Sequence, residues 1–219
     1  FTNRIELCPS VIVLPARQTV LFAKQLTELD ILSNGRARLG IGVGSNKDQY
    51  AALGQDFHSR GARCDEQLPL LKSLLTQDKV DFTGRWDTVE ESGINPLPVQ
   101  PHIPIWYGGA SIPGAKVINR IANYADGWFV LCNPEDYDDI RSKIDNAAKT
   151  ANRDPKAIQT EAGVAVVGPR ESEWQSRITN WEKMGIDYIC LRTLGGDLTP
   201  QQHLDKLKEV VSQALDLIA

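Results

Sequence analysis

No stretch of this 219-residue chain approaches the roughly 20 consecutive apolar residues that a membrane-spanning helix needs. No leader with a basic start, an apolar middle and a cleavage site is visible either. Basic residues are not in excess: 24 Lys and Arg against 28 Asp and Glu leave a net charge of −4. Without a basic stripe to neutralise phosphates, general nucleic-acid binding is not expected. Cysteine is sparse and dispersed. Cys8, Cys64, Cys132 and Cys190 form no CxxC pair and no Cys/His cluster, so the expectation is reduced thiols in a cytoplasmic protein and no metal site. Methionine occurs once, as Met184, and the first residue is Phe1.

Acid–base groups of the usual catalytic kind are also scarce. His58 falls in a loop, His102 in a Pro-flanked crossing and His203 in the terminal helix, where surface or structural roles are expected. Asp126 precedes a strand and reads as a turn or capping residue. Arg60, Arg63 and Glu66 are spaced by three and read as surface ion pairs on a helix. No Ser-His-Asp, metal-ligand or P-loop arrangement appears, so no catalytic residue is assigned. An organic cofactor is expected to carry the reaction, with the protein binding and orienting it.

What is present is a regular alternation of strand and helix patterns. Ile5–Leu14 (IELCPSVIVL) reads as a strand buried on both faces, and Gln18–Ser33 as a helix with Phe22, Leu26, Leu29 and Leu32 inward. Asn34-Gly35 ends that helix, because both tolerate positive φ. Arg38–Val43 is a strand along which Gly40, Gly42 and Gly44 alternate, leaving one face bare for a flat ligand or a close neighbour. A polar loop leads to a helix over Asp65–Leu75, in which Pro69 should lie in an early turn or cause a kink. Residues 78–101 read as a hairpin-like excursion and a Pro-rich crossing. Then come strand Ile103–Tyr107, helix Gly114–Tyr124 and strand Gly127–Leu131. Asn133-Pro134-Glu135-Asp136 starts a helix with Tyr137, Ile140, Ile144 and Ala147 on one face. Strand Thr160–Val167, a helix marked by Trp174, Ile178 and Trp181, and strand Asp187–Arg192 follow. Thr199-Pro200-Gln201-Gln202 is a capping box for a last helix with Leu204, Leu207, Val211 and Ile218 inward.

Six strands, most followed by a helix, imply an α/β fold with a parallel sheet, two βα units short of a closed (β/α)8 barrel. Ligands in such arrays bind at the C-terminal ends of the strands. There, Gly108-Gly109-Ala110-Ser111 follows a strand and precedes a helix, which suits an anionic phosphate. The glycines at 40, 42 and 44 do not make a dinucleotide fingerprint. Counting G-x-G-x-x-G from Gly40 puts Ser45 at the third glycine, and counting from Gly42 puts Lys47 there.

Four segments in order, SVIVLPARQ, LTELDILSNGRARLGIGVGSNKDQYAALG, RGARCDEQL and PIWYGGAS followed by ANYADGW, resemble the bacterial luciferase-like superfamily of flavin- or F420-dependent oxidoreductases and monooxygenases. The resemblance implies a (β/α)8 TIM barrel with FMN or coenzyme F420 at its C-terminal mouth. Residues 1–219 would be a single barrel domain, with six of the eight strands and without the first two βα units. It implies a non-prolyl cis peptide at Ser10-Val11 backing the cofactor ring, a pocket rim at Gly44, Ser45 and Asn46, and a phosphate loop at Gly108, Gly109, Ala110 and Ser111. Trp128 would pack near the cofactor or in the wall. A catalytic histidine, where the family has one, would lie before Phe1, and the chain is expected to derive from a longer protein. Ser45 stands where some F420-dependent sugar dehydrogenases carry a catalytic carboxylate, and Gln18-Thr19 replaces a usual His-Pro. The implied partners are a small organic substrate, a separate flavin or F420 reductase, and a second copy in a homodimer. Two alternatives stay open: a non-catalytic flavin-binding protein of the same superfamily, and an unrelated phosphate-binding TIM-barrel enzyme.

Overall fold

The structure, a computed structural model, describes residues 2–217. Among the described residues six strands form one parallel sheet: β1 (Ile12–Val13), β2 (Leu39–Gly42), β5 (Ile105–Tyr107), β6 (Gly127–Val130), β7 (Gln159–Ala165) and β8 (Tyr188–Arg192), in the order β1-β2-β5-β6-β7-β8. The sheet does not close, so β1 and β8 each have one partner. A separate antiparallel hairpin, β3 (Val80–Thr83) and β4 (Thr88–Ser92), accounts for the expected excursion. The helices are α1 (Thr19–Ser33), α2 (Lys47–Ala52), α3 (Arg60–Thr76), α4 (Ala115–Tyr124), α5 (Pro134–Thr150), α6 (Trp174–Lys183) and α7 (Pro200–Leu217). No described helix is long and apolar enough to cross a membrane.

Strand alternation decides what faces each side. Leu39, Ile41, Ile105, Tyr107, Trp128, Val130, Ala162 and Val164 belong to the buried core between sheet and helices. Their neighbours Arg38, Trp106, Phe129, Glu161 and Tyr188 meet on the other face. The Arg38 guanidinium lies 4.5 Å from the Trp106 ring centre and 5.6 Å from that of Tyr188, and Trp106 touches Phe129 at 5.4 Å. On the strand β2 the bare glycine face is filled by neighbours: a Cβ on Gly40 would strike the Pro9 carbonyl and Phe129, and one on Gly42 would sit 3.0 Å from the Gly108 oxygen. The glycines therefore serve close packing. Gly44 is not part of that face, since it lies beyond the strand with φ of +67°.

Several local expectations are corrected. The run Ile5–Leu14 is not a continuous buried strand: Leu7 makes one isolated bridge to Ala37, Ile12–Val13 pair with β2, and Leu14–Ala16 turn into a short 3-10 helix. Pro9 offers the ladder no amide, and the segment has a neighbour on one side only, so Ile5 is 62% exposed. In α1 the inward stripe is Thr19, Phe22, Leu26, Asp30 and Ser33, which leaves Leu32 85% exposed. Asp30 takes the inward place because its carboxylate accepts the Gln100 amide at 2.9 Å and the Gln100 side chain at 2.7 Å, tying the helix end to the Pro-rich crossing. The helix ends as expected, with Asn34 and Gly35 at positive φ.

The polar loop after β2 is in part a helix, α2, and Pro69 lies in the third turn of α3 rather than an early one. There it leaves the Asp65 carbonyl without its usual i+4 donor. Arg60, Arg63 and Glu66 are not a row of surface pairs. Glu66 accepts three backbone amides, from Arg85, Trp86 and Asp87, at 2.7 to 3.0 Å, and so holds the tip of the β3–β4 hairpin. Arg63 instead reaches Gln55 and the Arg17 carbonyl. Buried Arg120 on α4 grips Asp65 of α3 through two bonds of 2.6 and 3.1 Å and donates to the Gly61 carbonyl.

The later helices follow the sequence pattern more closely. Tyr137, Ile140 and Ile144 are buried in α5, with Ala148 beside half-buried Ala147, and Trp174, Ile178 and Trp181 are buried in α6. The Thr199–Gln202 capping box forms in both directions. The inward stripe of α7, however, is His203, Leu207, Val210 and Ala214, which shares Leu207 with the expected set and replaces Leu204 and Val211 by the residues just before them. Leu204 and Val211 are exposed, and Ile218 lies outside the described residues. His203 sets this phase: its Nδ1 lies 2.8 Å from the Thr193 hydroxyl.

Candidate cofactor-binding site

A cavity of about 860 Å³ opens at the C-terminal ends of the sheet strands, the end where parallel βα arrays bind ligands. Seven of the ten sequence-derived site residues line it: Ser10, Val11, Gly44, Ser45, Gly108, Gly109 and Ala110. The Ser10–Val11 peptide is cis. Val11 presents its side chain to the cavity between the two glycine segments. A Cβ on Gly42 would lie 3.2 Å from a Val11 methyl, and one on Gly108 would come still closer to it.

Three site residues lie outside the lining. Asn46 caps α2, its side-chain oxygen accepting the Asp48 and Gln49 amides at 2.9 and 3.2 Å. Ser111 is exposed just past the lining. Trp128 is turned to the opposite face of β6, where it stacks on Tyr137 of α5 with ring planes 2° apart. The strand's period of two places Phe129 and Leu131, not Trp128, on the cavity.

The Gly108–Ser111 loop is exposed at Gly109, Ala110 and Ser111 and buried at Gly108. Ile112-Pro113-Gly114 separate it from the first turn of α4, and Val117 of that turn lines the cavity. Gly114 caps α4 without a side-chain bond, so the first amides of the helix have no side-chain acceptor. The rim after β2 is fixed from below by buried Tyr50, whose hydroxyl donates to the Val43 carbonyl at 2.7 Å. Burial pushes that hydroxyl's pKa up to about 12, so it stays a donor across the working range.

Sequence reasoning missed the far wall. Cys190, Arg192 and Thr193 of β8 and its exit line the cavity, with Leu194 beyond them. The signal was present in the alternation of Tyr188, Cys190 and Arg192 with the apolar Ile189 and Leu191, which pack on the core. Apolar walls with a few polar groups suit a flat organic cofactor, and the exposed stretch Gly109–Ser111 of the glycine loop, beyond the Gly108 amide that donates to the Ile41 carbonyl, suits its phosphate. The residues present thus fit a phosphorylated flavin or deazaflavin.

The chain matches the family model for luciferase-like monooxygenases over residues 1–189. It belongs to that family. A relative in Mycobacterium tuberculosis (strain ATCC 25618 / H37Rv), "Uncharacterized protein Rv0953c", is 32% identical over 188 residues, covering 86% of this chain and 64% of that protein. The chain thus spans a little under two thirds of the length of that relative. The "FMNH(2)-dependent dimethylsulfone monooxygenase" of Pseudomonas putida is 26% identical over 161 residues, 72% of this chain and 43% of that one. The "F420-dependent glucose-6-phosphate dehydrogenase" of Amycolatopsis mediterranei (strain U-32) is 28% identical over 152 residues, 68% and 44% of the two chains. The fold matches the solved monooxygenase RslO1 from Streptomyces bottropensis with a TM-score of 0.80 at 17% identity, over 100% of this chain and 80% of that one. The structural neighbours are luciferase-like TIM barrels, and this luciferase-like chain supplies six parallel strands of that architecture without closing it. Family membership sets aside an unrelated phosphate-binding barrel.

Proposed function

We propose that this chain carries the cofactor site of an FMN- or F420-dependent oxidoreductase that acts on a small organic substrate. The observation that carries the reading is the cavity at the strand C-termini, where Val11, the Gly44-Ser45 rim and the Gly108–Ala110 loop converge. In this reading Val11 supports one face of the ring, and Phe129 and Leu131 form an apolar wall that keeps water from it. The loop amides, Ser111 and the start of α4 hold the phosphate. When bound, the flavin or deazaflavin supplies hydride or electron transfer, and the protein supplies orientation and a dry surface.

The names of two relatives, one FMNH(2)-dependent and one F420-dependent, support both cofactors equally. With FMN as cofactor, a separate reductase would deliver the reduced form. Incubation with reduced FMN and oxygen, or with F420 and small alcohols, tests the reading through ring absorbance. Cofactor oxidation or reduction that requires both the protein and an organic molecule is expected. Redox change at the same rate with and without protein would remove the enzymatic reading, and saturable binding without turnover would favour a flavin-binding role instead.

A further inference from the structure

Arg192 is the one charged side chain among the described residues lining the cavity. It pairs in register with Ala165 of β7, and its guanidinium leans back along the strand onto Gly163, two residues deeper. A Cβ at position 163 would occupy the space the guanidinium takes, so the bare glycine is what lets the cation sit inside the wall. Arg38, the other inward arginine, has a carboxylate partner in Glu161 at 2.9 Å and a second in Glu6 at 3.4 Å. Arg192 has no carboxylate within 4.0 Å and no side-chain hydrogen bond to another described residue. Glu161 lies one inward position below Gly163 and is already committed to Arg38. A half-buried guanidinium with no partner among the described residues, in a cavity that Leu131 and Phe129 also line, is free to take a ligand anion. Its rigid fork of donors matches a planar carboxylate through two parallel bonds.

We propose that Arg192 is a specificity-determining residue that recognises a carboxylate on the small-molecule substrate. The inference rests on the cofactor reading above, because that reading assigns the cofactor's phosphate to the Gly108–Ser111 loop and leaves Arg192 for the second ligand. It adds a substrate class to the site: an apolar organic acid, with its body towards Leu191 and Leu194, which line the cavity beside Arg192.

Ligand-observed NMR with benzoate and its neutral isostere benzamide tests this, with the full chain and in the presence and absence of FMN or F420. The wild type is expected to bind benzoate about tenfold more tightly than benzamide, the scale of one charge-assisted pair. Arg192→Gln should bring the two within about twofold, Arg192→Lys should keep part of the preference, and Gly163→Ala should lose it by displacing the guanidinium. Cofactor affinity should be unchanged in Arg192→Gln. Equal binding of the two probes by wild type, or a preference that survives Arg192→Gln, would overturn the proposal. Loss of cofactor affinity in Arg192→Gln would assign the guanidinium to the cofactor and overturn it as well. Phenyl phosphate binding more tightly than benzoate would overturn the carboxylate class. Because the probe ratio is read without cofactor too, failure to bind FMN or F420 removes the earlier reading while leaving this ratio to be judged by itself.

Discussion

Arg38, just before β2, and Glu161 on β7 meet at 2.9 Å across the inner face of the sheet, although two strands, β5 and β6, separate β2 from β7 in the hydrogen-bonded order. Trp106 fills the space between, under the guanidinium. The pair is largely buried, with side chains 15% and 11% exposed, so removing one partner leaves a charge without full compensation. Glu161→Gln is expected to lower unfolding free energy by about 2 kcal/mol, Glu6 offsetting part of the loss. Urea denaturation measures it; a change below about 0.5 kcal/mol would mean the pair is solvated and contributes little.

Trp106 also fixes the tolerance of its neighbour Gly127. A Cβ there would fall within the indole, and the indole cannot retreat because Arg38 and Tyr188 flank it. Gly127→Ala is therefore expected to cost about 2 to 3 kcal/mol by overpacking. A denaturation midpoint equal to that of wild type would show that the indole can move aside.

The hairpin clamp gives a pH dependence. Partial burial pushes the Glu66 carboxyl up, but the amides of Trp86, Arg85 and Asp87 donate to its charged form and outweigh this, so its pKa lies below the ordinary glutamate value. A carboxyl lowered in the folded state adds stability above its unfolded pKa, near 4.3, and loses it as pH falls through the folded value. Thermal melts of wild type and Glu66→Gln should differ most at pH 6 to 7 and converge below about pH 4. A gap of constant size down to pH 3 would show that the clamp works without its charge.

Thiol reactivity reports which cysteines face the cavity. Cys64 and Cys132 are buried, and burial pushes their pKa up to about 12 and about 11. Cys190 lines the cavity and is half-buried. In native protein, iodoacetamide should label Cys190 at least about tenfold faster than Cys64 or Cys132. Bound FMN or F420 should slow Cys190 further, which peptide mass spectrometry would resolve. Labelling of Cys190 that ignores a saturating cofactor would place the cofactor elsewhere.

The helical parts of the fold were legible where one local rule decides them. The Asn34-Gly35 stop, the Pro134 start and the Thr199–Gln202 capping box each rest on a few adjacent residues, and each forms as expected. The phase of α1 and α7 was not legible, because it depends on polar side chains held from far along the chain: Asp30 by Gln100 and His203 by Thr193. The same holds for Glu66, whose partners are some 20 residues away in a hairpin. In the site, the glycine-rich loop and Val11 announced themselves through composition and the family resemblance. Arg192 did not, because a charged residue at a strand end looks like a solvated one until Gly163 is seen beneath it.

The most direct test of the account is equilibrium titration with FMN and with F420, followed by ring fluorescence, on the wild type and on Ala110→Glu. Ala110 is exposed on the loop assigned to the phosphate, so a carboxylate there should repel the cofactor without disturbing the core. The account predicts saturable one-to-one binding of one cofactor by wild type, and binding weaker by about tenfold or more in the variant at an unchanged melting temperature. No binding of either cofactor by wild type, or equal affinity in the variant, would contradict it.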